Sequence, residues 1–242
     1  DMTATTQNEH VAHHFDSAEQ QLETGKLGIW TFLLTEIMLF GGLFVAYAMY
    51  RNNHPEAYQF AAQFLDTTWG AINTAVLILS SLSMAWAVRN AQLGQTRALI
   101  INLVITLVCA AAFMGVKSQE YSHKYHEGLL WASAEHSLFN PNADPAVIAE
   151  VRAHSSATAA IDALDPETKT IVGLFFGIYF VMTGLHGVHV LIGMILILWL
   201  IFRARRGDFG PKNFNAVDFS GLYWHLVDLI WIFLFPLLYL IS

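Results

Sequence analysis

Five stretches of the chain, about 27–50, 69–92, 98–117, 170–203 and 219–241, are apolar over the roughly 20 residues that a helix needs to cross hydrocarbon. Glu36 and Asp228 are the only acids inside them. The stretches predict an all-α fold, a polytopic membrane bundle of five transmembrane helices forming a single domain over 1–242. Residues 1–25 are polar, and Asp16-Ser17-Ala18-Glu19 offers N-cap chemistry for a short helix ending at Gly25 and lying at the interface. At about 1.5 Å per residue the fourth stretch is longer than the bilayer is thick, so it must tilt or protrude. The one long connection, 118–169, separates the third and fourth spans. It is expected to hold helices of its own, because Asp144-Pro145 is a good helix start and AVIAEVRA and ATAAIDAL are good helix formers.

Lys and Arg set the expected orientation. With the N-terminus inside, Lys26, Arg89, Arg97, Arg203, Arg205, Arg206 and Lys212 crowd the short inner connections. Arg51, Lys117, Lys124, Arg152 and Lys169 lie outside, mostly in the long loop, where the positive-inside bias counts for less. The N-terminus is therefore expected inside, and the C-terminus and the 118–169 loop outside.

Composition sharpens the class. Hydrophobic residues make up 55% and charged residues 13%, about half the charge of an ordinary soluble domain. The net charge of -7 leaves no basic patch for nucleic acid. A single cysteine, Cys109, excludes an internal disulfide and any Cys-based zinc or iron-sulfur site. The polar start lacks the apolar core of a secretory signal, so it is expected to stay on the protein. Trp30, Trp69, Trp199 and Trp224, with Arg203, Arg205 and Arg206, are the expected lipid and interface contacts.

Candidate chemistry lies within the spans. On the fourth, Gly173, Gly177 and Gly184 share one face, and His186, His189 and Gly193 nearly the opposite one, so this helix should have protein on both sides. On the fifth, Asp218, Gly221, His225 and Asp228 form a polar stripe. Counted from the inner ends, Glu36 and Asp228 lie about 15 Å deep, and His186 and His189 about 20–25 Å deep. A carboxylate and an imidazole from different helices can therefore meet near the midplane. An acid at a span's centre costs about 2.5–3.5 kcal/mol on insertion scales, so Glu36 is expected to be neutral or, preferably, bonded to an imidazole of the fourth or fifth span. Glu36, His186, His189, His225 and Asp228 form the candidate buried polar cluster. Three roles are open to it: a metal or haem site, a proton or ion path, and a polar core that fixes helix register, the last being the simplest.

LGIWTFLLTEIMLFGGLF, FVMTGLHGVHVLIGMILI and VDFSGLYWHLVDLIWIFLFPLLYLI, in this order, resemble subunit III of the haem-copper respiratory oxidases, most nearly cytochrome c oxidase. Most members have seven helices. The first span here matches the family's third, so the family's phospholipid cleft cannot be carried over whole. The resemblance implies a non-catalytic subunit in a bacterial inner membrane, with no catalytic residue and no metal of its own. Haem and copper belong to its main contact, subunit I, and phospholipid is expected to be bound. Subunit II, other respiratory subunits and membrane lipids are further implied partners, and cytochrome c or another donor is expected near the outer loop. The implied roles are support of proton entry into the large subunit and slower inactivation during turnover. Glu36 matches the family's carbodiimide-reactive carboxylate, and His186, His189, His225 and Asp228 match the polar residues around it. A quinol oxidase subunit is the near alternative, and an independent haem-binding membrane protein the distant one.

Overall fold

The computed structural model describes residues 17–211 and 213–240. Eight helices follow in order: α1 (Ala18–Asn53), α2 (Pro55–Ala62), α3 (Thr67–Gln92), α4 (Thr96–His126), α5 (Pro145–His154), α6 (Thr158–Asp162), α7 (Pro166–Arg205) and α8 (Asn215–Tyr239). Five of them, α1, α3, α4, α7 and α8, are long and apolar enough to cross a membrane. Among the described residues the only strand-like pairing is a single bridge between Gly210 and Asn213.

Local chemistry sets the helix starts. Ser17 accepts from the Gln20 N–H, Asp66 from Thr68 and Trp69, and Asp144 from Ala146, each side-chain oxygen satisfying a first-turn donor that the helix leaves open. Asp165 does the same for Thr168, with Pro166 in the first turn of α7. That bond and its neighbours hold the Asp165 carboxyl below the usual range. The turns joining α3 to α4 and α7 to α8 pass through Gly94 and Gly207 at φ of 71° and 79°, where a Cβ would be strained.

The short interfacial helix expected before the first span does not exist as a separate element. Residues from Ala18 onward run unbroken through Gly25 into a 36-residue α1, because nothing between Glu19 and Leu27 terminates a helix and Gly25 is tolerated where the Phe219 ring closes over it. The part of that segment before Ser17 falls outside the described residues. The long loop is shorter than the pattern suggested, since α4 carries on to His126 and α7 begins at Pro166. It does contain two helices, α5 and α6, at the two helix-forming sequences. Helix α2, between the first two spans, had no counterpart in the sequence reading.

Helices α3, α4, α7 and α8 pack in a closed ring, α3 against α4 and α8, and α7 against the same two. Helix α1 lies outside this ring against α7 and α8, and α2 packs on α7 near the long-loop end. Only 11% of the most apolar stretch of α1 is buried inside the molecule, against 50% for α8, which makes α1 the edge of the bundle. Small residues permit the closest approach. A Cβ on Gly193 of α7 would come within 2.6 Å of the Trp224 ring of α8. Around Phe175 on α7, the rings of Tyr47 and Tyr58 pack edge-on or tilted, which fixes α2 against the end of α1.

Candidate functional site

The buried acid of α1 finds a histidine of α7. Glu36 Oε2 lies 2.8 Å from His189 Nε2, with side-chain exposures of 13% and 11%. The second ring nitrogen, Nδ1, lies 2.8 Å from the Leu185 carbonyl one turn back. A carbonyl only accepts, so Nδ1 carries a hydrogen. One further proton is then shared between Nε2 and Glu36, as carboxylate on imidazolium or carboxylic acid on neutral imidazole. Either way the pair has no net charge, which is why hydrocarbon tolerates it. The edge of Phe40 covers the imidazole, and Tyr223 of α8 donates to the His189 carbonyl at 2.9 Å. Three helices thus meet at His189.

The other members of the expected cluster stand apart from this pair. His225 Nδ1 is 2.8 Å from Ser81 Oγ, tying α8 to α3. Asp228 is buried beside Ser80 and Ser81 but makes no well-formed hydrogen bond. The neighbouring hydroxyls explain this: Ser80 donates to the Leu77 carbonyl and accepts from Trp224, and Ser81 is engaged with His225. His186 is buried between the rings of Phe113 and Trp231, with neither nitrogen hydrogen-bonded. Glu36 pairs with His189 alone. With Nδ1 on a carbonyl and Nε2 on the acid, neither His189 nitrogen is free for a metal. Among the described residues no three His, Cys, Asp or Glu side chains converge as metal ligands.

Of the expected surface residues, Trp69 and Trp199 are exposed near helix ends, as are Arg205 and Arg206, and Trp30 is exposed well inside α1. Arg203 stacks between Trp199 and Phe209, each 4.9 Å away, and its Nε bonds Asp208 at 2.9 Å. Trp224 is a correction. It is 1% exposed, packs on Gly193, and donates from Nε1 to Ser80 Oγ at 3.0 Å, so it belongs to the core rather than to the lipid surface.

A second charged site had no place in the sequence reading, which counted Lys117 among the outer-loop charges. Lys117 is 6% exposed in α4, and all three of its N–H donors are used: on Glu120 Oε2 at 2.8 Å, Tyr239 Oη at 2.9 Å and Tyr179 Oη at 3.1 Å. Tyr179 and Tyr239 in turn donate to Glu120 Oε1 at 2.7 and 2.6 Å. One turn on, Lys124 is also buried, its Nζ 3.8 Å from Glu120 Oε1. Tyr121 meets Thr183 of α7 at 2.6 Å. This network locks α4, α7 and α8 together near the long-loop end. Its signal in the sequence is the spacing 117, 120, 121, 124, a helical face continuing past the apolar run.

The loop has its own fastener. Glu127, at the end of α4, accepts from Ser155 at 3.0 Å, from Ser156 and from the Ala157 N–H. Burial alone would raise its carboxyl, but these donors outweigh burial and hold it below the usual carboxylate range.

The description "Cytochrome c oxidase subunit III" matches residues 157–242, which carry α7 and α8. A protein of Thermostichus vulcanus named cytochrome c oxidase subunit 3 is 30% identical over 246 aligned positions, covering 100% of this chain and 99% of that one. The chain belongs to the haem-copper oxidase subunit III family. Quinol oxidase subunit 3 of Bacillus spizizenii is 29% identical and that of Bacillus subtilis 28%, each alignment covering 97% of this chain and 98% of the relative. Subunit III is in general a non-catalytic member of an oxidase complex, so this chain associates with other oxidase subunits. As a subunit III it is a multi-pass membrane protein.

Proposed function

We propose that the chain is the subunit III of a proton-pumping cytochrome c oxidase in a bacterial inner membrane. In this reading it carries no catalytic or redox centre. It holds the haem- and copper-bearing subunit I in shape, retains phospholipid and supports proton uptake. The N-terminus faces inside, and the long-loop end of the bundle faces outside, toward subunit II and the electron donor. The observation that carries the reading is the Glu36–His189 contact. An acid stabilised inside the bundle by a histidine with both nitrogens engaged is built to hold helices and not to ligate a cofactor. The exposed apolar side of α1 gives subunit I or lipid a face to cover.

The Bacillus relatives support a second reading, the same subunit in a quinol oxidase. Oxygen consumption by the purified complex separates the two. Turnover with reduced cytochrome c supports the first reading, and turnover with a quinol and none with cytochrome c overturns it in favour of the second. A haem absorption band kept by this chain after removal of the large subunit would overturn both.

A further inference from the structure

Unlike Glu36 and Glu120, Asp228 is a buried acid without a partner. It sits midway along α8 and is 2% exposed, and neither carboxyl oxygen is hydrogen-bonded. The hydroxyls beside it are engaged elsewhere, Ser80 with the Leu77 carbonyl and Trp224, and Ser81 with His225 Nδ1. His225 stands three residues before Asp228 on the same face of α8, and its Nε2 has no hydrogen-bond partner among the described residues. Both side chains line a groove of about 310 Å³ between α3 and α8. Its walls are aliphatic, and Ile78, Leu82 and Ile232 are about half exposed along it, so the groove opens sideways from the bundle toward lipid.

We propose that this groove binds the ring of a lipid-soluble para-diphenol, a quinol. An acyl chain fills the groove but leaves the acid unmet. Asp228 keeps at least one oxygen that only accepts, whether the group is ionised or not, so the ligand must donate. The two oxygens of a para-diphenol stand at opposite ring edges, and this separation matches the roughly 5–6 Å between residues three apart on a helix face. One hydroxyl donates to Asp228. The other meets His225 Nε2, and because a hydroxyl both donates and accepts, it suits either tautomer of that imidazole. The oxidised ring, a quinone, has no donor and leaves Asp228 unmet, so the groove prefers the reduced form. A monophenol satisfies one partner of the two. The flat ring also fills the cleft between two helices with few rotors to freeze. The proposal is one of binding and contains no electron-transfer step, so it stands apart from both readings of the electron donor.

The test uses the purified oxidase complex and a photoreactive short-tailed benzoquinol, kept reduced under argon, with the labelled peptides mapped after digestion. Unlabelled benzoquinol and a monophenol with the same tail compete against it, and the quinone is measured in air with the oxidised label. The expected result is labelling of α3 and α8 around 77–85 and 225–232, with the quinol held at least about 10-fold more tightly than the quinone or the monophenol. Asp228→Leu puts an apolar group of similar size in an apolar setting, so it should keep the fold and lose that preference. Ala85→Phe fills the groove from an exposed position and should lose labelling with Asp228 intact. Equal affinity for quinol and quinone, a monophenol bound as tightly as the diphenol, a preference untouched by Asp228→Leu, or labelling untouched by Ala85→Phe overturns the proposal. So does labelling confined to other subunits. Labelling of the groove that appears only after those subunits are removed also overturns it, because a partner helix then covers the site.

Discussion

Replacing Glu120 by Ala tests the Lys117 network directly. The substitution removes the only carboxylate within hydrogen-bond reach of Lys117 and the acceptor of Tyr179 and Tyr239, leaving two buried ammonium groups, Lys117 and Lys124, beside each other. Breaking a buried pair from one side costs about 3–5 kcal/mol, because the remaining charge is neither solvated nor paired. For a chain of this length about 2–4 °C of melting temperature follows each kcal/mol, so unfolding should fall by about 6–20 °C. Lys117→Met together with Glu120→Met should recover most of that loss, since apolar groups of similar size replace a buried pair at little cost. Recovery stays incomplete because Lys124 still loses the Glu120 carboxylate 3.8 Å from it. The assay is thermal unfolding of this subunit within the detergent-purified oxidase, with single and double variants compared as a cycle. A Glu120→Ala complex melting within about 2 °C of the parent, or a double variant no more stable than the single one, refutes the reasoning.

Glu36→Leu strands His189 Nε2 and should destabilise the subunit by about 1–3 kcal/mol, whereas Glu36→Gln donates to the same nitrogen and should cost less, leave assembly intact and affect at most proton uptake; equal melting temperatures for the two variants, or loss of oxygen reduction in an intact Glu36→Gln complex, would count against the pairing. The Glu127 carboxyl is held below its unfolded value, so it stabilises the loop above about pH 4.3 and loses that contribution as pH falls through the folded value. The protection of Ser155 to Ala157 against hydrogen exchange, taken relative to the intrinsic rate at each pH, should therefore fall with acid in the parent and be low and flat with pH in Glu127→Gln; identical profiles would refute the link.

The five spans and the existence of a buried acid–imidazole contact were legible because hydrophobic length and intramembrane charge are one-dimensional signals. The choice of His189 over His186, His225 and Asp228 was not. It depends on helix rotation, which the approach of Gly193 to Trp224 fixes, and no periodicity records that approach. His225 and Asp228 belong to the α3 side of α8, while α1 packs along another side of it. Trp224 looked like an interface residue for the same reason: an indole near a helix end marks lipid contact unless a glycine on another helix makes room for it. Lys117 was hidden by the rule that charges begin where the membrane ends. Two tyrosines from helices remote in sequence keep it inside, and only their convergence in space shows it.

Helix α7 explains why two ionic contacts of such different construction coexist. Tyr179 joins it to Lys117 and Glu120, Thr183 to Tyr121, and His189 to Glu36, and Gly193 admits Trp224. The first and third levels lie ten residues apart, about 15 Å along the axis. At the upper level every donor of Lys117 is matched and three helices of the closed ring are joined, so opening it means unpacking the ring. At the lower level one proton-sharing pair is the only side-chain hydrogen bond from α7 to the edge helix α1 among the described residues. Few buried contacts and only two polar fasteners among the described residues, this pair and the Tyr47 hydroxyl donating to the Leu237 carbonyl of α8 at 2.6 Å, place α1 at the low end of local stability. The pair keeps zero net charge wherever its proton sits, so proton transfer within it adds no charge to hydrocarbon, whereas separating its partners in the ionised form would expose two. The Glu36–His189 pair therefore fastens the edge helix without adding net charge to hydrocarbon, while the four-helix ring is held by contacts of its own.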